Sequence, residues 1–380
     1  MRTEVCDMLG IEFPIFAFSH CRDVVAAVSR AGGFGVLGAV AYSPEQLAIA
    51  LDWIDDHVGD RSYGVDVIVP ARYVGDEGGG LRSSDVASLL PDEHRAFVED
   101  ILERYGVADG PGSGDGRGED SREDRPMPFS SESARELLEV VWKHPKVKLI
   151  ANALGPAPDY LVREAHDRGL AVAGLVGKVE HARRQKDAGV DLIIAQGSEA
   201  GGHTGEIGTM VLIPQVVDAV APLPVLAAGG IADGRQVAAA LALGARGVWC
   251  GSVWLTTEEA ETHPVVKEKF LAASSADTVR SRSKTGKPAR QLVSAWTREW
   301  DRPDTPDPLP MPLQSALVAQ AEGRIARSAA SSAGARDLIN YFVGQAVGQM
   351  NTVKPAGQVV MDMVEAYISA ATALGRSVES

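Results

Sequence analysis

Short runs rich in β-branched and aliphatic residues recur along the chain, each followed by a longer stretch whose apolar positions return every three to four residues. This alternation predicts successive βα units. Eight strands are read: FPIFA at Phe13 to Ala17, FGVLG from Phe34, YGVDVIV from Tyr63, VKLIA from Val147, LAVAG from Leu170, DLIIA from Asp191, PVLAA from Pro224 and GVWC from Gly247. Most are apolar on both faces, as expected of strands with helices outside and a packed interior within. The helical stretches AAVSRAGG, LVREAHDRG, VEHARRQKDAG and GRQVAAALALGA each end near a glycine suited to a left-handed cap. Eight units between Phe13 and Cys250 occupy close to the roughly 250 residues typical of a closed barrel. The fold class read is therefore α/β, a (β/α)8 TIM barrel with an additional, mostly helical lid region. A doubly wound sheet is the alternative, because periodicity does not report closure.

Two departures from the repeat divide the chain. Residues 1–255 are read as the barrel, interrupted between its third and fourth strands by a flexible insertion near 107–130. The insertion's segment ADGPGSGDGRGEDSREDRP has almost nothing to bury and is expected to be mobile between about Asp109 and Pro126. The stretch SSESARELLEVVWKH then predicts a helix leading into the fourth strand. Residues 256–350 are read as a helical lid over the barrel mouth, and residues 351–380 as a C-terminal helix closing on the barrel, carried by the amphipathic VVMDMVEAYISAATAL.

Composition narrows the function classes. With 37 basic and 51 acidic residues the formal net charge is -14, which disfavours nucleic acid or an anionic membrane surface as a partner and favours a small-molecule substrate. The three cysteines, Cys6, Cys21 and Cys250, have no CxxC spacing and an odd total, so neither a disulfide framework nor a metal site is expected. The N-terminus lacks a basic head followed by an apolar run, and no apolar stretch approaches the roughly 18 residues that span a bilayer. A cytoplasmic protein, possible as a homo-oligomer, is the expectation.

Chemistry in such barrels sits on the loops after the strands, with phosphate commonly held after the seventh and eighth. Gly229 and Gly230 end the seventh strand, where backbone N–H groups can approach an anion closely. Gly251 and Ser252 end the eighth, where an amide and a hydroxyl can complete the cradle at a helix start. No strand runs through a GxGxxG turn into a helix, and no Walker loop is present. The sixth strand runs into AQGSEAGGHTGEIG, which places Gln196, Gly201, Gly202 and His203 past a strand end. Histidine's ordinary pKa of about 6.5 suits proton transfer near neutrality, which makes His203 the catalytic candidate. His20, just past the first strand, and Asn152, at the end of the fourth, are further substrate candidates. Lys178, after the fifth strand, is the residue a flavin-free isomerase or aldolase would need.

On AQGSEAGGHTG, on LAAGGIADGRQVAAALALGARGVWCGSVWLTTEEA, and more weakly on TGKPAR from Thr285 and FVGQAVGQM from Phe342, the chain resembles the nitronate monooxygenase family. The resemblance covers most of the chain and implies an FMN-dependent barrel that oxidises an alkyl nitronate with dioxygen to a carbonyl compound and nitrite. It implies that Gln196 contacts the flavin ring or ribityl chain, that Gly201 and Gly202 lie against the cofactor, that Gly229, Gly230, Gly251 and Ser252 hold its phosphate, and that His203 faces the substrate. Two departures mark this sequence. Where the family has a Pro–Met–Ala-like segment against the flavin, this chain has Ala17 and Phe18 in AFSHCRD; where the family has an asparagine after the third strand, it has Asp66. An NAD(P)H-dependent or acyl-thioester oxidoreductase on the same scaffold is the alternative activity.

Overall fold

The structure, a computed structural model, describes residues 1–69, 86, 88–107, 131–153 and 155–379; the segment expected to be mobile lies outside the described residues. Eleven strands are found among them: β1 (Ile15–Ser19), β2 (Phe34–Gly38), β3 (Tyr63–Asp66), β4 (Val147–Asn152), β5 (Ala171–Val176), β6 (Leu192–Gln196), β7 (Gly202–His203), β8 (Val225–Ala228), β9 (Gly247–Cys250), β10 (Thr278–Ser281) and β11 (Ala289–Leu292). Eight of these close a barrel in the order β1-β2-β3-β4-β5-β6-β8-β9. The ring is sealed by parallel pairing of β1 with β9, Ile15 opposite Val248 and Ala17 opposite Cys250. That pairing excludes a doubly wound sheet, whose edges stay apart. The strands are those read from the sequence, with ends that differ by one to three residues in several cases.

Alternation along each strand divides the core in two. Phe16, Phe34, Val36, Leu149, Ile194, Leu226 and Trp249 point inward and fill the barrel, joined from below by Val5, Cys6 and Leu9 of the helix Glu4–Leu9. The intervening residues, among them Ile15, Val65, Ile150, Ile193, Ala227 and Val248, point outward into a larger cluster shared with the surrounding helices. The C-terminal helix Ala356–Glu379 joins that outer layer by packing on the helix Gly234–Ala242, where Gly234 lies against the backbone of Met363 and Tyr367. A side chain at Gly234 would separate the two helices.

A second cluster is built from the residues after the barrel. Trp296, Trp300, Phe270, Val318, Leu338 and Val343 form its centre. Helix Asp92–Arg104, from the stretch between β3 and β4, contributes Val98, Ile101 and Leu102 to it. Its ion pairs run the same way: Arg104 donates to Glu299 at 2.9 Å, and Arg324 to Glu99 at 2.7 Å. This region also contains a small antiparallel sheet, β10-β11-β7, which the helical pattern did not reveal. Its third strand is the glycine-histidine pair of the loop after β6, so the sheet joins the barrel's sixth loop to the second cluster. All three cysteines are free and buried. Among the described residues, no helix is long and apolar enough to cross a membrane.

Candidate active site

The inward side chains change character toward the C-terminal ends of the strands. Trp249 stacks on Phe16 and Phe18, ring centroids 6.2 and 6.0 Å away, and makes an aromatic floor. Around it Gln196 lies in register with Ala228, and Asp66 with Gly38 and Ala151, so small neighbours leave room above both polar groups. Asp66 is only 8% exposed, and burial pushes its carboxyl up to about 7.

The loops after β8 and β9 leave neighbouring strands of the ring. Gly229 and Gly230 adopt φ of 107° and 71°, backbone conformations that favour glycine. A Cβ on Gly229 would lie 2.8 Å from the Thr209 hydroxyl, and one on Gly230 would lie 3.1 Å from Cβ of Glu199. The turn is held from behind: the Gln236 side chain donates to the Gly230 carbonyl and accepts from Ala232 N at 2.8 Å. Among the described residues, no protein acceptor takes the N–H of Gly229, Gly230 or Gly251. Ser252 opens the short 3-10 helix Ser252–Thr256, and its hydroxyl accepts from Gly344 N at 2.8 Å. A cavity of about 320 Å3 opens beside Gly229 and Gly230, walled by Glu199, Thr209, Ser275 and Gln345.

The loop after β6 is pinned at both ends. Glu199 accepts from Thr209 N at 2.9 Å and from its hydroxyl at 2.9 Å, capping the helix Thr209–Val220. Gly202 and His203 then pair with Arg290 and Ala289 of β11. The His203 ring sits 6.4 Å from Phe342, with Nδ1 3.4 Å from the Pro288 carbonyl. By area the imidazole is open to solvent, yet protein surrounds it on most sides. That crowding lowers its pKa, with Lys287 acting in the same sense and the Pro288 carbonyl opposing. Neutral imidazole is therefore the dominant form at pH 7, as a proton acceptor requires.

The nitronate monooxygenase profile matches residues 2–366. The chain belongs to the nitronate monooxygenase family. It is similar, at 60% identity over 97% of each chain, to a Mycobacterium tuberculosis protein bearing the name monooxygenase Rv1533. A Staphylococcus aureus protein named as a nitronate monooxygenase is 27% identical over 96% of each. Among solved structures, nitroalkane oxidase from Streptomyces ansochromogenes superposes with a TM-score of 0.77 at 27% identity, covering 97% of this chain and 99% of that one. FabK from Thermotoga maritima superposes at 0.72 and 29%, covering 99% of each. The protein is accordingly an oxidoreductase built on a TIM barrel.

Seen as a nitronate monooxygenase family barrel, the mouth gathers Phe18, Asp66, Gln196, Gly229, Gly230, Gly251 and Ser252 from five strand ends, with Gly201, Gly202 and His203 arriving on one loop. Ala17 is different: its side chain points outward and is fully buried in the helix layer, which leaves only its backbone toward the mouth. Asn152 is fully buried, and its amide is spent on backbone. Its Oδ1 accepts from Val69 N at 3.0 Å and its Nδ2 donates to the Gly155 carbonyl at 3.3 Å. Through these bonds Asn152 braces the loops after β3 and β4. His20 is exposed, its Nδ1 3.0 Å from the Gly38 carbonyl beside the mouth. Lys178 is exposed at the start of the helix Val179–Asp187, without the burial that would make its amine a nucleophile. Glu199 stands in the loop AQGSEAGGHTGEIG read as the catalytic face, whereas Trp249 and Arg290 were not singled out from the sequence. Trp249 is readable as the inward position of an eighth strand, and Arg290 lies inside the quoted TGKPAR.

Proposed function

We propose that the chain binds FMN across the barrel mouth and oxidises an alkyl nitronate with dioxygen, giving a carbonyl compound and nitrite. The observation that carries this reading is the pair of turns at Gly229–Gly230 and Gly251–Ser252. Among the described residues the N–H groups of Gly229, Gly230 and Gly251 have no protein acceptor, and the positive φ of Gly229 and Gly230 disfavours a side chain there. Such a cradle fits a phosphate monoester. When bound, FMN supplies the redox chemistry.

The chain's own groups then have separate tasks. Gln196 offers an amide at the rim of the aromatic floor, able to donate to and accept from a flavin edge. Asp66, about half protonated at pH 7 and neutral below it, donates a hydrogen bond where an ionised carboxylate would repel electron-rich ring oxygens. His203, neutral at pH 7, accepts the α-proton of a neutral nitroalkane and so generates the nitronate in place. Phe342 lies beside this imidazole, ring centroids 6.4 Å apart. A reductase taking NAD(P)H or an acyl thioester would use the same mouth, and anaerobic reduction by NADH separates it from the oxygen-dependent reaction.

The cofactor part is tested by a visible spectrum and by the mass of the released chromophore. FMN at near-stoichiometric occupancy is expected, with riboflavin, which lacks the phosphate, retained far more weakly. Gly230→Val should lower occupancy sharply, because a branched side chain at φ of 71° is strained and meets Glu199. Full occupancy in that variant contradicts the cradle.

A further inference from the structure

Two arginines face each other on the small sheet that carries the His203 loop. Arg280 of β10 and Arg290 of β11 are direct cross-strand partners in an antiparallel pair, so their side chains leave the same face. Like charges in that relation are ordinarily destabilising. Both are partly buried, and neither forms an ion pair with a carboxylate among the described residues. Their contacts are with neutral acceptors: Arg280 Nη2 donates to the Thr204 carbonyl at 3.2 Å, while Arg290 donates to the Ser198 carbonyl at 2.9 Å and to Thr278 Oγ1 at 3.1 Å. The carboxylate that acts on Arg290 is Glu199, which is already committed to capping Thr209.

Two buried polar atoms at the same place lack partners, Arg280 Nε and the Thr204 hydroxyl. Buried donors left unmade are costly, and a cluster of them usually marks an absent water or ion. The third position across the sheet on this face is Gly202, paired with Arg290, and a Cβ there would meet nothing within 4 Å. Two guanidinium groups without an ion-pairing carboxylate among the described residues, a spare hydroxyl and open space thus coincide. Arginine forks match tetrahedral oxyanions bidentately.

We infer that Arg280, Arg290 and Thr204 form an oxyanion subsite that takes the phosphate or pyrophosphate group of an organic co-substrate. The subsite lies on the opposite face of β7 from the His203 side chain, and occupancy would fix the loop that holds that imidazole. It does not depend on the flavin assignment. A nicotinamide nucleotide and a coenzyme A thioester are the two sources of such a group, and both are larger than a short alkyl nitronate.

The test is calorimetric titration of the protein, saturated with FMN, with inorganic pyrophosphate, followed by competition with NADH and with coenzyme A. Saturable binding is expected, weakened about tenfold or more by Arg280→Gln and by Arg290→Gln, as loss of a charge-assisted bond implies. Thr204→Val, which leaves both charges in place, should weaken it severalfold. Displacement by NADH but not coenzyme A, or the reverse, identifies the source. Absence of saturable binding, or equal affinity in folded variants, overturns the inference. Loss of flavin from a folded Arg290→Gln protein overturns it too, by assigning the pair to the resident cofactor's own phosphate.

Discussion

His203 and Asp66 are both crowded by protein, and crowding acts on them in opposite directions because one is cationic when protonated and the other neutral. For His203 the consequence is kinetic. His203→Asn should keep FMN and lose about a hundredfold to ten-thousandfold of activity on a neutral nitroalkane, the usual value of a general base, while a preformed nitronate is still oxidised. In the unaltered protein, nitroalkane turnover should fall only when pH drops below the ordinary histidine value of about 6.5, since the imidazole pKa is lowered. Nitronate turnover that instead falls as pH rises through the histidine pKa would assign the residue to anion stabilisation. For Asp66 the consequence is stability. Its folded pKa, about 7, lies above the unfolded value, so the unfolded chain releases the proton first and stability declines as pH rises from about 4 to 7. Asp66→Asn should abolish that decline and stabilise the cofactor-free protein at pH 8 by on the order of 2–4 kcal/mol. Denaturant melts at pH 5 and pH 8 check this, and a variant with unchanged pH dependence would show that the carboxyl is not the titrating group. The sequence placed Asp66 at a strand end; its isolation among Gly38 and Ala151 needed the barrel register.

At the level of elements, legibility followed length and apolar content. The barrel strands were readable because they are nearly all apolar and separated by periodic helices. Strands β10 and β11, TVRS and ARQL, are four residues long and at least half polar, and β11 pairs in turn with a two-residue strand over 80 residues earlier in the chain. Nothing local distinguishes them from loop. Likewise Asp92–Arg104 reads as a helix only if its partner surface is known, since Val98, Ile101 and Leu102 pack on residues that follow the barrel. The helix pair Gly234–Ala242 and Ala356–Glu379 carries a sharper prediction. Gly234→Ala drives a methyl into the backbone of Met363 and Tyr367, neither of which can rotate away. It should cost about 1–3 kcal/mol by overpacking and lower the melting temperature without changing flavin content, because the contact lies on the outer helix layer. An unchanged melt would mean that the C-terminal helix adjusts freely on the barrel.

Across the whole molecule, the eight-strand ring fixes which loops meet, and that is why residues from Phe18 to Ser252 converge although they are scattered through the sequence. Glycine placement after the seventh and eighth strands pointed to the turns proposed as the phosphate cradle. The side chains that surround His203, from Lys287 and Pro288 to Phe342, come from after the barrel and were invisible to strand-end reasoning. The family fixes the scaffold and the oxidoreductase class, while the substrate rests on the chemistry of the mouth. The most direct test adds a preformed short-chain alkyl nitronate to the FMN-saturated protein in an oxygen electrode and measures nitrite in the same vessel. The account predicts prompt oxygen uptake with matching nitrite, retained by the His203→Asn protein. No oxygen uptake with the nitronate, together with anaerobic reduction of the flavin by NADH, would contradict it.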